Sequence, residues 1–71
     1  MKVLIIEDEP FARTELIRLL HATGREFTLL DQIDSVEESV KWLKAHPFPD
    51  LIFLDIQLAD GLSFEIFRQV T

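Results

Sequence analysis

The sequence predicts an α/β fold in which a parallel β-sheet carries helices on both faces. Three observations predict it. Short apolar runs rich in branched residues, the pattern of strands buried on both sides, stand at Val3-Leu4-Ile5-Ile6 and Leu51-Ile52-Phe53-Leu54. Apolar residues at helical spacing follow each run and also lie between them. Strand and helix patterns therefore alternate along the whole chain, which requires parallel pairing through right-handed crossovers. Three such units make half of a doubly wound sheet.

Each element has its own signals. Lys2-Val3-Leu4-Ile5-Ile6 is the first strand, and it ends abruptly in Glu7-Asp8-Glu9-Pro10. Pro10 opens the first helix, because its fixed φ and missing N–H suit a first helical turn. Ala12, Leu16, Leu19 and Leu20 form the expected apolar stripe, and Gly24 marks the end. Residues 26–33 read as a second strand, with Phe27, Leu29 and Ile33 in rough alternation. Thr28, Asp31 and Gln32 place that strand at a sheet edge. Ser35-Val36-Glu37-Glu38 fits the capping box, in which serine and the third-following glutamate satisfy each other's free N–H groups. Val36, Val40 and Leu43 carry the second helix to about Ala45, and His46-Pro47-Phe48-Pro49 stops it. Leu51 to Leu54 is a third buried strand, broken at Asp55. Asp60-Gly61 supplies a turn and a cap, and Leu62, Ile66 and Val70 begin a third helix that runs to Thr71.

Composition narrows the function. The chain has 71 residues, enough for one small domain, and is 48% hydrophobic, which argues against a disordered or fibrous protein. Thirteen acidic residues against seven basic ones give a formal charge of −6, so this segment offers no nucleic-acid-binding face. The absence of cysteine excludes disulfide frameworks and thiolate metal sites. No apolar run exceeds four residues, too short for a membrane span or the core of a signal peptide, and a cytoplasmic location is expected. Trp42 and the six phenylalanines read as core, apart from Phe64 and Phe67, which the third helix leaves partly uncovered. His21 and His46 lie near helix ends and lack further ligands at metal-binding spacing. Lys41 and Lys44 mark a solvated helix face.

Ligands of open parallel sheets bind outside the carboxyl ends of the strands. The first strand ends there in Glu7-Asp8 and the third in Asp55. If those strands are neighbours, three carboxylates meet, an arrangement that is costly unless a cation neutralises it. Oxygen ligands with room for water and phosphate suit Mg²⁺. No Gly-rich phosphate loop accompanies them, so nucleotide binding of the Walker or dinucleotide type has no support. Each acid alone has a plainer explanation. Acids before a helix are favoured by its dipole, at about 0.3–1 kcal/mol each, and an aspartate after a strand commonly serves a turn. The combination of both positions favours a Mg²⁺ pocket built for a phosphoryl group.

Val3-Leu4-Ile5-Ile6-Glu7-Asp8-Glu9-Pro10 resembles the opening of a bacterial response-regulator receiver domain. Leu51-Ile52-Phe53-Leu54-Asp55-Ile56-Gln57-Leu58 resembles the third strand and phosphoacceptor loop of that family. The spacing between the two acidic sites fits as well. Asp60-Gly61-Leu62-Ser63-Phe64-Glu65-Ile66-Phe67 is similar to receivers that precede a LytTR-type DNA-binding domain. The resemblance implies a flavodoxin-like receiver fold, of which this chain is the N-terminal three-fifths. It implies a phosphorelay role in which Asp55 accepts a phosphoryl group from a sensor histidine kinase. Asp8, Asp55 and the main-chain carbonyl of Gln57 would be Mg²⁺ ligands, with Glu7 one layer out, holding a water. The Gln57 N–H would face the phosphoryl oxygens, and its side chain would tune the lifetime of the acyl phosphate. The protein is then a phosphoacceptor rather than an enzyme, and the whole regulator acts on transcription through a separate DNA-binding domain.

The chain also departs from that family. A receiver has five strands, and its phosphate-gripping Ser or Thr and Lys follow the fourth and fifth. Lys2, Lys41 and Lys44 stand in the wrong places to replace the lysine, and Ala59 occupies a position where many receivers have proline. Switching is therefore not expected of this segment by itself. Its third strand would carry an open edge, so self-association is expected, and a receiver fragment acting only as an assembly module is the alternative reading. An aspartate-nucleophile phosphatase ranks lower, because Gln57 stands where such an enzyme needs a second acid.

Overall fold

A computed structural model describes residues 1–70. The elements run β1 (Lys2–Ile6), α1 (Pro10–Ala22), β2 (Thr28–Ile33), α2 (Val36–Ala45), β3 (Leu51–Leu54), β4 (Gln57–Leu58), β5 (Gly61–Leu62) and α3 (Phe64–Gln69). The main sheet has the order β2-β1-β3, all parallel, so the first and third strands are neighbours. The second strand lies at an edge, as its polar residues indicated.

The central strand explains the unbroken apolar run. Val3, Leu4, Ile5 and Ile6 are all 0% exposed, and successive side chains point to opposite faces. Val3 and Ile5 pack with Leu20 of α1, flanked by Leu16, Ile17, Phe27, Leu29, Leu51 and Phe53. Leu4 and Ile6 pack on the other face with Ile33, Val36, Val40, Leu43, Leu58 and Ile66. Helices thus cover both faces.

Several local expectations are corrected. On α1 the inward stripe is Leu16, Ile17 and Leu20, while Leu19 is half exposed. One residue of helix turns the side chain by about 100°, which carries Leu19 out of the stripe. The second strand begins at Thr28, and its alternation is broken. Val3 pairs with Leu29 but Leu4 pairs with Asp31, so Leu30 is an extra residue. This bulge reverses the parity of the strand. Leu29 therefore packs toward α1 and Ile33 toward α2, although even spacing in sequence would put them on one face. The third strand is half-buried rather than fully buried, because it too is an edge. Phe11, on the outer side of the first turn of α1, and Phe48, between two prolines, lie outside the core, and Phe64 and Phe67 on α3 are exposed as expected. Only Phe27 and Phe53 pack inward, and Trp42 is half-buried with its ring stacked 4.2 Å from that of His46.

The segment after β3 differs most. Residues 57–62 form a small antiparallel hairpin in which Gln57 pairs with Leu62 and Leu58 with Gly61. Gly61 takes φ +147°, a conformation that side chains disfavour. Leu62 is consequently in β5 and exposed, and α3 starts at Phe64 and ends at Gln69. Thr71 lies outside the described residues. Among the described residues no helix is long and apolar enough to cross a membrane.

Candidate functional site

The acidic site is assembled by strand register. Ile6 pairs with Leu54, so both chains leave the sheet at the same level. The Asp55 N–H donates to the Ile6 carbonyl at 3.0 Å, and the Glu7 N–H donates to the Ile33 carbonyl at 2.9 Å. Glu7, Asp8 and Asp55 are half-buried, and each offers a carboxylate oxygen within 4.8 Å of the others. Among the described residues the ion pairs are Glu15–Arg18, Glu37–Lys41, Glu38–Lys41 and Glu65–Arg68, so none neutralises this cluster.

The run Glu7-Asp8-Glu9 divides by role. Glu9 caps α1, its Oε2 accepting from the Ala12 N–H at 2.7 Å. The helix-cap explanation therefore holds for Glu9 and not for its neighbours. Glu7 Oε1 accepts from the Glu9 N–H at 3.1 Å. Burial pushes the Glu7 carboxyl above its usual range, and the charges of Asp55 and Asp8 and a hydrogen bond shared with Asp55 push the same way. The Glu9 N–H opposes them. A proton shared with a neighbour or a hard cation relieves such crowding, and a set made only of oxygens fits a divalent cation of the Mg²⁺ type. A cleft of about 220 Å³ opens beside the acids, lined by Ile6, Glu7, Leu16, Phe53, Leu54 and Asp55.

Gln57 opens β4, with its backbone fixed by the hairpin and its side chain exposed. The histidines stand apart from the cluster. The His21 ring lies 5.0 Å from that of Phe27, and His46 Nδ1 bonds the Trp42 carbonyl at 2.8 Å.

Asp60 corrects the sequence reading. It caps the second helix rather than the third: Oδ1 accepts from the Val36 N–H at 2.8 Å and Oδ2 from the Glu37 N–H at 3.1 Å. These two bonds hold its carboxyl below the usual range. Ser35 Oγ accepts from the Glu38 N–H at 3.1 Å, which is half of the expected capping box. Among the described residues no bond returns from Glu38, whose carboxylate lies 3.8 Å from Lys41. At the base of the loop, Ser63 is fully buried and donates to the Ile56 carbonyl from both its N–H and its Oγ, at 2.9 and 3.0 Å. The turn signal at Asp60-Gly61 was legible in sequence, whereas a cap supplied across 24 residues leaves no local pattern.

No family model and no solved structure matches the chain. Curated relatives do. The chain is 44% identical over 66 residues to sensory transduction protein LytT of Bacillus anthracis, covering 93% of this chain and 26% of that protein. It is 37% identical over 70 residues to sensory transduction protein LytR of Staphylococcus haemolyticus, covering 99% of this chain and 27% of that protein. It is 41% identical over 66 residues to transcriptional regulatory protein LytR of Staphylococcus aureus, covering 93% and 26%. The chain thus spans about a quarter of the length of these relatives.

Proposed function

We propose that this chain, a homologue of the LytT and LytR response regulators, is receiver sequence of such a regulator and accepts a phosphoryl group on Asp55. The observation that carries this reading is the convergence of Glu7, Asp8 and Asp55 within 4.8 Å at adjacent strand ends. A phosphoryl acceptor needs little from its protein beyond positioning and neutralised charge. In this reading Asp8, Asp55 and the main-chain carbonyl of Gln57 hold Mg²⁺, and Glu7 stands behind them and orients a water. When bound, the ion offsets the charge of the acids and of the incoming phosphoryl oxygens. An Asp55 carboxylate oxygen attacks phosphorus as the phosphorus–nitrogen bond of a phosphohistidine breaks, and the imidazole nitrogen keeps the bonding electron pair. The donor is a sensor histidine kinase, and DNA binding belongs to other parts of the regulator. Gln57 sets the lifetime of the acyl phosphate, so Gln57→Ala is expected to change the dephosphorylation rate.

Intact mass with Mg²⁺ and acetyl phosphate tests the reading. A gain of about 80 Da, one phosphoryl group, that vanishes in Asp55→Asn is expected. No adduct on the wild-type chain with Mg²⁺ bound would overturn it. Assembly through the outer edge of β3 is the second reading, favoured by that edge pairing with no strand among the described residues and by Ile56 lying 62% exposed beside it.

A further inference from the structure

The residues that follow Asp55 are tied down at three points. Ser63, fully buried, closes the base of the loop by giving both its N–H and its hydroxyl to the Ile56 carbonyl. Leu58, 2% exposed, seats the first strand of the hairpin in the core beside Val36 and Ile66. At the tip, Asp60 reaches across to α2 and accepts from the Val36 and Glu37 N–H groups at 2.8 and 3.1 Å. The first turn of that helix is otherwise satisfied from within. The Glu38 N–H goes to Ser35 Oγ and the Ser39 N–H to the Ser35 carbonyl, both at 3.1 Å. Gly61 brings the hairpin so close that a Cβ there would lie 3.9 Å from Val36 Cγ2. The main chain at Gln57 runs between these ties, two residues after Asp55.

We propose that Asp60 is a positioning residue for the acidic site: by holding the β4–β5 turn against the first turn of α2, it fixes the Gln57 main chain as a metal ligand beside Asp8 and Asp55. This inference rests on the receiver reading for the identity of the ligands. A residue behind a ligand that only stabilised the fold would leave metal affinity unchanged in folded protein. One that places the ligand alters affinity by roughly 10- to 100-fold.

The test is Mg²⁺ titration of the full chain, followed by amide NMR shifts at Asp8 and Gln57, at a temperature where circular dichroism shows every variant folded. Asp60→Ala removes both bonds, Asp60→Asn retains one acceptor, and Ser35→Ala removes a cap of the same helix without touching the loop. The expected result is Mg²⁺ binding weakened about tenfold or more in Asp60→Ala, by less in Asp60→Asn, and not in Ser35→Ala. Equal affinities for wild type and Asp60→Ala would overturn the proposal. So would equal losses in Asp60→Ala and Ser35→Ala, which would mark a general effect of helix uncapping. Wild-type chain that binds Mg²⁺ but gains no mass from acetyl phosphate would sink the receiver reading alone, leaving the Asp60 comparison decisive for the positioning role. Wild-type chain that binds no Mg²⁺ would overturn both.

Discussion

At the scale of single residues, consecutive acids do different work because the chain turns between them. Glu7 and Asp8 follow a strand whose end is level with the end of β3, while Glu9 already belongs to the helix start. Substitutions should separate the roles. Glu9→Ala is expected to lower the melting temperature while leaving Mg²⁺ affinity unchanged, because it removes a cap and no member of the cluster. Asp8→Asn is expected to weaken Mg²⁺ binding tenfold or more, a loss at least equal to that of an outer partner. Calorimetric titration of the two variants side by side checks both. An equal loss of affinity in Glu9→Ala would remove the distinction.

At the scale of elements, α2 depends on two caps of different origin. Ser35 is local, and its replacement by alanine should cost about 1 kcal/mol, measurable by urea denaturation. Asp60 comes from the hairpin, and its contribution depends on pH. Its carboxyl lies below the ordinary value of 3.8 in the folded chain because two N–H groups favour the charged form. The stability it contributes is therefore fully present above the unfolded value and is lost as pH falls through the folded one. Melting temperatures of wild type and Asp60→Ala should differ at neutral pH and converge in acid. A difference that persists unchanged in acid would show that the carboxylate bonds are not its source. The bulge at Leu30 acts at the same scale. It lets one short edge strand serve both layers, Leu29 toward α1 and Ile33 toward α2.

For the whole molecule, the central strand joins the two packed layers. Val3 and Ile5 hold one helix layer and Leu4 and Ile6 the other, all without exposure. Ile5→Ala should cost roughly 2–5 kcal/mol. In a chain of this size that is comparable to the total stability, so largely unfolded protein by circular dichroism is expected. At the sheet margin away from β2, β3 pairs with no further strand among the described residues. Ile56, two residues past the end of β3, is 62% exposed, and Phe64 and Phe67 on α3 are exposed at 59 and 41%. Exposed apolar area next to an unpaired strand favours association. Light scattering should show a mass that rises with concentration, and Ile56→Lys should reduce it. A monomer at all concentrations would dismiss assembly through this margin.

The sequence by itself determined the alternation of strands and helices, the limits of β1, α2 and β3, and the candidate acids at Glu7, Asp8 and Asp55. Those features are local: an apolar run, a proline or a serine before a helix, a charge where a strand stops. Tertiary structure alone decided that β1 lies between β2 and β3, which is what brings the acids together. It also decided the parity change in β2, the exposure of Phe11 and Phe48 and the reach of Asp60 to α2. Each of these depends on a partner far away in the chain. A local pattern records what a residue prefers, and only the packed fold settles which distant N–H, strand edge or apolar face it meets.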